Sequence, residues 1–217
     1  MNLSKAKKTL IQCDFDGTIT TEDVSFIILD RFARGDWRPL LKEYRAGKIS
    51  VGHLNTEAFA MVNADKQDLL KAISGRIKIR DGFHKLVTYC RQRDFHIAIV
   101  SNGLDFYIKA ILSEIGLDDI PVSAAQTSFL PEGLQVRYIG PDGLCLQDGF
   151  KEAHVASFLK SGYQIIYAGN GISDFPAAKR CQHVFATGEL LACCKEANLE
   201  CDAFTDFNTI IKALEIL

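Results

Sequence analysis

The feature that most constrains this chain is a repeated alternation of strand-like and helix-like segments. Four short apolar segments, rich in β-branched residues, have the composition of buried strands: TLIQCD (9–14), HIAIVS (96–101), YQIIYAGN (163–170) and HVFAT (183–187). The intervals between them are long enough for the helical crossovers that parallel strands need. The alternation therefore predicts an α/β fold, with a Rossmann-like parallel sheet flanked by helices.

Two stretches interrupt the alternation. Residues 22–78 are almost entirely helix-like, with Ser50 as the expected N-cap of one helix. We therefore predict an inserted α-helical cap domain at 22–78 and an α/β core domain formed by 1–21 and 79–217. Residues 123–150 have the turn chemistry of a β-hairpin.

Charge and apolar content limit the possible partners. The 217 residues carry a net charge of -2 and no basic run, so neither nucleic acid nor an anionic membrane is expected as a partner. No apolar run is long enough for a signal peptide or a membrane span, which favours a cytoplasmic protein. The seven cysteines fit that compartment as free thiols. The sequence does not indicate an oligomeric state.

Polar side chains follow the ends of three predicted strands. In open α/β sheets, ligands bind at the carboxyl ends of strands, so these side chains should meet at one edge. They are Asp14 and Asp16 after the first strand, Ser101-Asn102-Gly103 after the second, Asn170 and Asp174 after the third, and Lys151 at the start of the preceding helix. The pattern predicts one polar site built from separate segments.

Four motifs at this edge resemble the haloacid dehalogenase superfamily, whose phosphatases carry them in the same order. They read CDFDGTIT (13–20), VSNG (100–103), Lys151 and GNGISD (169–174). The resemblance covers essentially the whole chain and implies Mg²⁺-dependent hydrolysis of a phosphomonoester. Two aspartates that flank an aromatic residue at a strand end rarely arise from packing needs alone.

The chemistry of phosphate esters explains these residue types. A carboxylate that attacks a phosphate dianion is repelled by it, and two such charges about 4 Å apart cost roughly 4 kcal/mol at intermediate dielectric. A divalent cation and Lys151 would offset that repulsion. Asp14 is the predicted nucleophile, which forms an aspartyl-phosphate, and Asp16 is the predicted general acid and base.

The resemblance also implies binding roles for the remaining motif residues. Ser101, together with the backbone of Asn102 and Gly103, would hold a phosphoryl oxygen, and Lys151 would contact the same group. The implied metal ligands are Asp14, Asp16 through its backbone carbonyl, Asn170 and Asp174.

Position 170 departs from the family pattern, which usually has an aspartate there. An amide oxygen can bind a hard cation but brings no negative charge, so we predict weaker Mg²⁺ affinity, with Asp174 anchoring more of the ion. Asp174 could also simply cap the following helix. Asn170 keeps open the alternative of a catalytically weak phospho-metabolite-binding or regulatory protein. A second alternative is a phosphotransferase, which would pass the phosphoryl group from the same aspartyl-phosphate to an alcohol.

The helical insertion resembles that of the subfamily that includes phosphoserine phosphatase. A closer resemblance is to the methionine-salvage phosphatases of 2-hydroxy-3-keto-5-methylthiopentenyl-1-phosphate, in CDFDGTITTED, IRDGF (79–83), SNGLDFY (101–107), GNGISDFPAAK (169–179) and FATGELL (185–191). A site closed by a cap favours a small phosphorylated metabolite as substrate. Asp23 is either a substrate-facing group or an acid at a helix N-terminus.

Overall fold

The computed structural model describes residues 8–216. Its strands are β1 (Lys8–Cys13), β2 (His96–Leu104), β3 (Val122–Leu130), β4 (Gly133–Ile139), β5 (Cys145–Leu146), β6 (Tyr163–Gly169), β7 (His183–Ala186) and β8 (Asp202–Ala203). Its helices are α1 (Val24–Phe32), α2 (Arg38–Arg45), α3 (Val51–Ala60), α4 (Lys66–Ile73), α5 (Phe83–Gln92), α6 (Asp105–Glu114), α7 (Phe150–Lys160), α8 (Phe175–Ala178), α9 (Gly188–Glu196) and α10 (Phe207–Leu214). The predicted α/β fold is confirmed.

The strands form one sheet in the order β5-β4-β3-β2-β1-β6-β7-β8. β1 is parallel to both β2 and β6, whereas β4 pairs antiparallel to both β3 and β5. The predicted hairpin is confirmed as β3 and β4, and β3 joins it to the sheet by pairing parallel to β2. Because the chain proceeds outward from β1 on both sides, the carboxyl end of β1 lies where ligands bind in such sheets.

Helices cover both faces of the sheet. Along β6, Ile165 and Tyr167 belong to one buried apolar cluster, whereas Ile166 and Ala168 belong to another. Side chains alternate between faces along a strand, so the two clusters are the two faces. The first includes residues of α7, α8 and α9, and the second includes residues of α5, α6 and α10.

Helices α1 to α4 form the insertion between β1 and β2. The Ser50 side chain accepts a hydrogen bond from the N–H of His53, which confirms the predicted N-cap of α3. A bridge between Thr20 and Ile79 joins the two ends of the inserted segment. The division at 21/22 and 78/79 stays a prediction, and residues 1–7 and 217 of the predicted core domain lie outside the described residues. Among the helices of residues 8–216, none has the length and apolar character of a membrane span.

The insertion packs closely against the hairpin side of the sheet. A Cβ at Gly52 of α3 would lie 2.6 Å from the carbonyl oxygen of Gln147, and one at Gly133 of β4 would lie 2.1 Å from that of Ala60. Only glycine allows backbones to approach so closely. The insertion is thus held over the carboxyl end of β1.

Candidate active site

The carboxyl ends of β1, β2 and β6 open into a cavity of about 310 Å³ beneath the insertion. Eight of the nine site residues predicted from the sequence line it: Asp14, Asp16, Asp23, Ser101, Asn102, Gly103, Lys151 and Asn170. The ninth, Asp174, is fully buried behind the cavity wall. Residues that are distant in the chain therefore meet at the edge that the strand pattern indicated.

A buried lysine lies between two buried carboxylates. The Nζ atom of Lys151 is 2.9 Å from Oδ1 of Asp14 and 2.5 Å from Oδ1 of Asp174, and the three side chains are 2%, 6% and 0% exposed. Burial alone would lower the pKa of Lys151, but the charges of Asp14 and Asp174 raise it above its ordinary value, so the ammonium stays charged. Burial, followed by the charge of Asp174, raises the pKa of Asp14 to about 6.

Asp174 accepts four hydrogen bonds from the protein. Its Oδ1 accepts from Lys151 and from the hydroxyl of Tyr167 at 2.6 Å. Its Oδ2 accepts from the backbone N–H groups of Asn170 at 2.9 Å and Gly171 at 2.8 Å. The carboxylate closes the loop after β6 and makes no side-chain cap bond to α8. Direct metal ligation by Asp174 stays a prediction.

The second motif lies in an irregular part of β2. The strand was predicted to end at Ser101, but it continues to Leu104, with a shift in its pairing to β3 after Val100. In this stretch the Ser101 hydroxyl accepts a hydrogen bond from the N–H of Gly103 at 3.1 Å. A local irregularity re-aims side chains at a strand end, so the strand continues beyond the apolar segment from which it was predicted.

The insertion and the hairpin both hold the backbone at Asn102. Its carbonyl oxygen accepts from Nδ2 of Asn55 on α3 at 2.9 Å and from the hydroxyl of Tyr138 on β4 at 2.8 Å. The same Asn55 nitrogen also donates to the Tyr138 hydroxyl at 2.7 Å. The position of the second motif therefore depends on two elements that are distant in the sequence.

Asp16 and Asp23 are linked to the start of α1. The oxygens of Asp16 accept from the N–H of Val24 at 2.9 Å and from the hydroxyl of Tyr107 at 2.5 Å. Burial, followed by the charge of Asp23, raises the pKa of Asp16 well above its ordinary value. Asp23 accepts from the N–H of Phe26 as the N-cap of α1 and also lines the cavity. Both interpretations of Asp23 are thus compatible with its position.

The amide of Asn170 is fixed against the loop after β1. Its Oδ1 accepts from the hydroxyl of Thr18 at 2.9 Å, and a Cβ at Gly17 would lie 2.2 Å from its Nδ2. Gly17 has φ +71°, which favours glycine. The guanidinium of Arg80 donates to the carbonyl oxygens of Gly17 and Thr18 at 2.6 and 2.7 Å, which fixes the loop from its other side.

The donor set fits a hard cation. Within residues 8–216, Oδ1 of Asp14 is buried without a well-aligned hydrogen bond, although Lys151 lies within ion-pair distance. Asn170 lines the same cavity. The described part of the chain contains no cluster of three or more His, Cys, Asp or Glu side chains that could enclose a metal. Mg²⁺ does not need such a cluster, because one or two carboxylates, water and substrate phosphate suffice.

Comparison with known proteins identifies the family. The family described as haloacid dehalogenase-like hydrolase matches residues 11–179 of the chain. The chain belongs to this family. It is a haloacid dehalogenase-family phosphatase, an enzyme that acts on a phosphoester.

Its relatives include 2-hydroxy-3-keto-5-methylthiopentenyl-1-phosphate phosphatases. That of Brevibacillus brevis is 28% identical over 97% of this chain and 96% of its own length. That of Exiguobacterium sibiricum is 30% identical over 94% of this chain and 95% of its own. Among solved structures, a phospho-aspartyl intermediate analogue of phosphoserine phosphatase covers 95% of this chain and 99% of its own, with a TM-score of 0.74 at 21% identity. The last likeness shows the fold alone.

Sequence reasoning missed several residues that support this haloacid dehalogenase-family site. They are Thr18, Asn55, Arg80, Tyr107, Tyr138 and Tyr167, all of which bond a motif residue. For Tyr107 a signal existed, since SNGLDFY was among the stretches that carried the family resemblance. Signals existed for two others, since Thr18 lies in CDFDGTIT and Arg80 in IRDGF. Asn55 and Tyr138 lie outside the motif stretches, and Tyr167 lies within a strand, where the apolar run hides it.

Proposed function

We propose that this phosphatase hydrolyses a small phosphomonoester through an aspartyl-phosphate on Asp14, with Mg²⁺ as cofactor. The observation that carries the proposal is the buried ammonium of Lys151 between Asp14 and Asp174 at the cavity floor. A positive charge held there, away from bulk water, stabilises the negative charge of the phosphoryl group in the transition state of its transfer. It also lowers the repulsion that Asp14 would meet as a nucleophile.

The remaining residues of the floor have complementary roles in this proposal. Ser101 and the neighbouring backbone bind and orient the phosphoryl oxygens. Asp16 gives a proton to the leaving oxygen and later takes one from the attacking water. Asp14, the backbone carbonyl of Asp16 and Asn170 would hold Mg²⁺, while Asp174 supports them from behind. Mg²⁺ would neutralise charge and polarise a phosphoryl oxygen.

The roof of the cavity indicates the class of substrate. Apolar side chains of the insertion line it, namely Phe26, Leu41, Val51 and Leu54. A cavity of about 310 Å³ accommodates a small metabolite. We propose that the carbon chain of the ester contacts this apolar roof. The substrate named for the relatives, 2-hydroxy-3-keto-5-methylthiopentenyl-1-phosphate, is therefore the first metabolite to test.

The test is phosphate release from a panel of small phosphomonoesters in the presence of Mg²⁺. We expect the wild-type enzyme to turn over and Asp14→Asn to lose about 10⁴-fold or more of its activity, since the nucleophile is gone. Asp118→Asn makes the same change at an exposed position and should retain full activity. Turnover by Asp14→Asn would contradict the proposal, and phosphoryl transfer to an added alcohol would favour a phosphotransferase.

A further inference from the structure

We propose that Tyr107 is the positioning residue for Asp16, and that Ser25 of α1 holds the Tyr107 hydroxyl in place. The inference rests on the proposed function, because it concerns the group that protonates the leaving oxygen. It adds a tyrosine and a serine to the residues on which that step depends.

The carboxyl of Asp16 is held at both of its oxygens. Val24 N–H donates to Oδ1 at 2.9 Å, and the Tyr107 hydroxyl contacts Oδ2 at 2.5 Å. One donor would leave the carboxyl free to rotate, whereas two donors on different oxygens fix its plane. Each oxygen keeps a second lone pair, so the group can still face a substrate.

Tyr107 is itself rigidly placed. Its side chain is fully buried, and its ring contacts Phe106 and Phe15 at centroid distances of 5.5 and 6.4 Å. Its hydroxyl lies 2.8 Å from Oγ of Ser25. An ionised carboxylate can only accept hydrogen bonds, so Ser25 then donates to Tyr107, which donates to Asp16.

Gly103 leaves the space in which this contact forms. A Cβ there would lie 2.1 Å from the Tyr107 hydroxyl oxygen and 2.2 Å from Oδ2 of Asp16. Any side chain at position 103 would therefore push the phenol and the carboxylate apart. This gives the glycine of the second motif a role beyond its backbone contact with phosphate.

The two halves of the reaction depend differently on Asp16. In the first, an oxygen of Asp14 bonds to phosphorus as the ester P–O bond breaks, and the proton of Asp16 goes to the departing alcohol. In the second, water attacks phosphorus, the bond to Asp14 breaks, and Asp16 takes the proton of the water. An alkoxide needs that first proton, whereas p-nitrophenolate leaves without one.

A leaving-group series therefore tests the inference. For Tyr107→Phe we expect kcat/KM to fall about tenfold or more for alkyl phosphates, and by about twofold at most for p-nitrophenyl phosphate. The ratio kcat/KM is informative because it includes steps only up to departure of the alcohol. Ser25→Ala should show the same selectivity with a smaller loss. Tyr89→Phe, on α5 beside Phe95, should match the wild type for every ester.

A double-mutant cycle completes the test. In an Asp16→Asn background, Tyr107→Phe should cause no further loss of kcat/KM that is specific to alkyl phosphates, since the acid that Tyr107 positions is absent. An equal loss for all leaving groups, no loss at all, or a full effect in that background would overturn the inference. If thermal unfolding shows that Tyr107→Phe does not fold, the same series of phosphate esters is measured with Ser25→Ala instead. Activity of Asp14→Asn would instead overturn the proposed function, so the two failures are distinguishable.

Discussion

At the scale of single residues, the site combines fixed positive charge with an unusual neutral group. Lys151 is buried between Asp14 and Asp174, whereas Asn170 offers an amide where the family usually has an aspartate. The carboxylate of Asp174 accepts four hydrogen bonds from the protein, and its direct ligation of Mg²⁺ stays a prediction. The charge at position 170 should therefore control metal affinity.

Restoring an acid at that position should strengthen metal binding. We expect Asn170→Asp to lower the Kd for Mg²⁺ about tenfold, because affinity for hard cations rises with the number of charged oxygen ligands. Calorimetric titration with Mg²⁺ in the absence of substrate measures this directly, and the metal-dependent rise in Tm gives a second readout.

The matched control is Asn198→Asp, which adds the same charge at an exposed position. It should leave Mg²⁺ affinity unchanged. An equal gain in both variants would mean that net charge, rather than ligation at position 170, sets the affinity. No gain in Asn170→Asp would mean that position 170 is not a ligand.

At the scale of elements, capping residues set where helices begin. Ser50, Asp65 and Asp206 each accept a backbone N–H three residues ahead, at the start of α3, α4 and α10. Such bonds satisfy donors that have no partner within the helix. Their short sequence spacing is why Ser50 could be identified as a cap from the sequence.

The cap of α10 gives a pH-dependent prediction. Hydrogen bonding from Thr209 N–H holds the pKa of Asp206 below its ordinary value of 3.8. A lowered folded-state pKa stabilises the fold above pH 3.8, and this contribution is lost as the pH falls through the folded-state value. At neutral pH we expect Asp206→Ala to reduce the free energy of unfolding by about 1 kcal/mol.

Asp206→Asn keeps the acceptor and removes the charge, so it should cost less than Asp206→Ala. Its difference from the wild type should stay constant above about pH 3.8 and shrink as the pH is lowered below 3.8, through the folded-state pKa. Urea unfolding followed over that pH range measures both effects. If the difference in the free energy of unfolding between Asp206→Asn and the wild type grew on acidification, the prediction would be wrong.

At the scale of the whole molecule, the insertion and the α/β core share one hydrophobic cluster. Buried residues of the insertion such as Leu54 and Phe59 belong to the same cluster as Val136 of the hairpin and Ile99 of β2. Shared burial of this kind couples the stability of the parts. The insertion should therefore not unfold independently of the core.

The single tryptophan makes this testable. Trp37 lies in the insertion and is 3% exposed, so its fluorescence reports on that segment, while far-UV circular dichroism reports on the whole chain. We expect both probes to give the same urea midpoint. A tryptophan transition at clearly lower urea would show that the insertion is a separate folding unit, and a Trp37→Phe variant would confirm the source of the signal.

The sequence by itself determined the fold class and the location of the site. Both follow from local regularities: strands show apolar runs of a few residues, helices show longer periodic segments, and Asp14, Ser101 and Asn170 stand beside strand ends. Parallel strands bring their carboxyl ends to one edge, so proximity in space followed from position along each strand.

Only the tertiary structure decided how those residues are held. Tyr107 meets Asp16 across 91 positions of sequence, and Tyr138 meets Asn102 across 36. No local periodicity encodes such contacts, because each joins residues that lie on elements far apart in the sequence. The same is true of the contact between Lys151 and Asp174, which exists only once α7 lies beside the loop after β6.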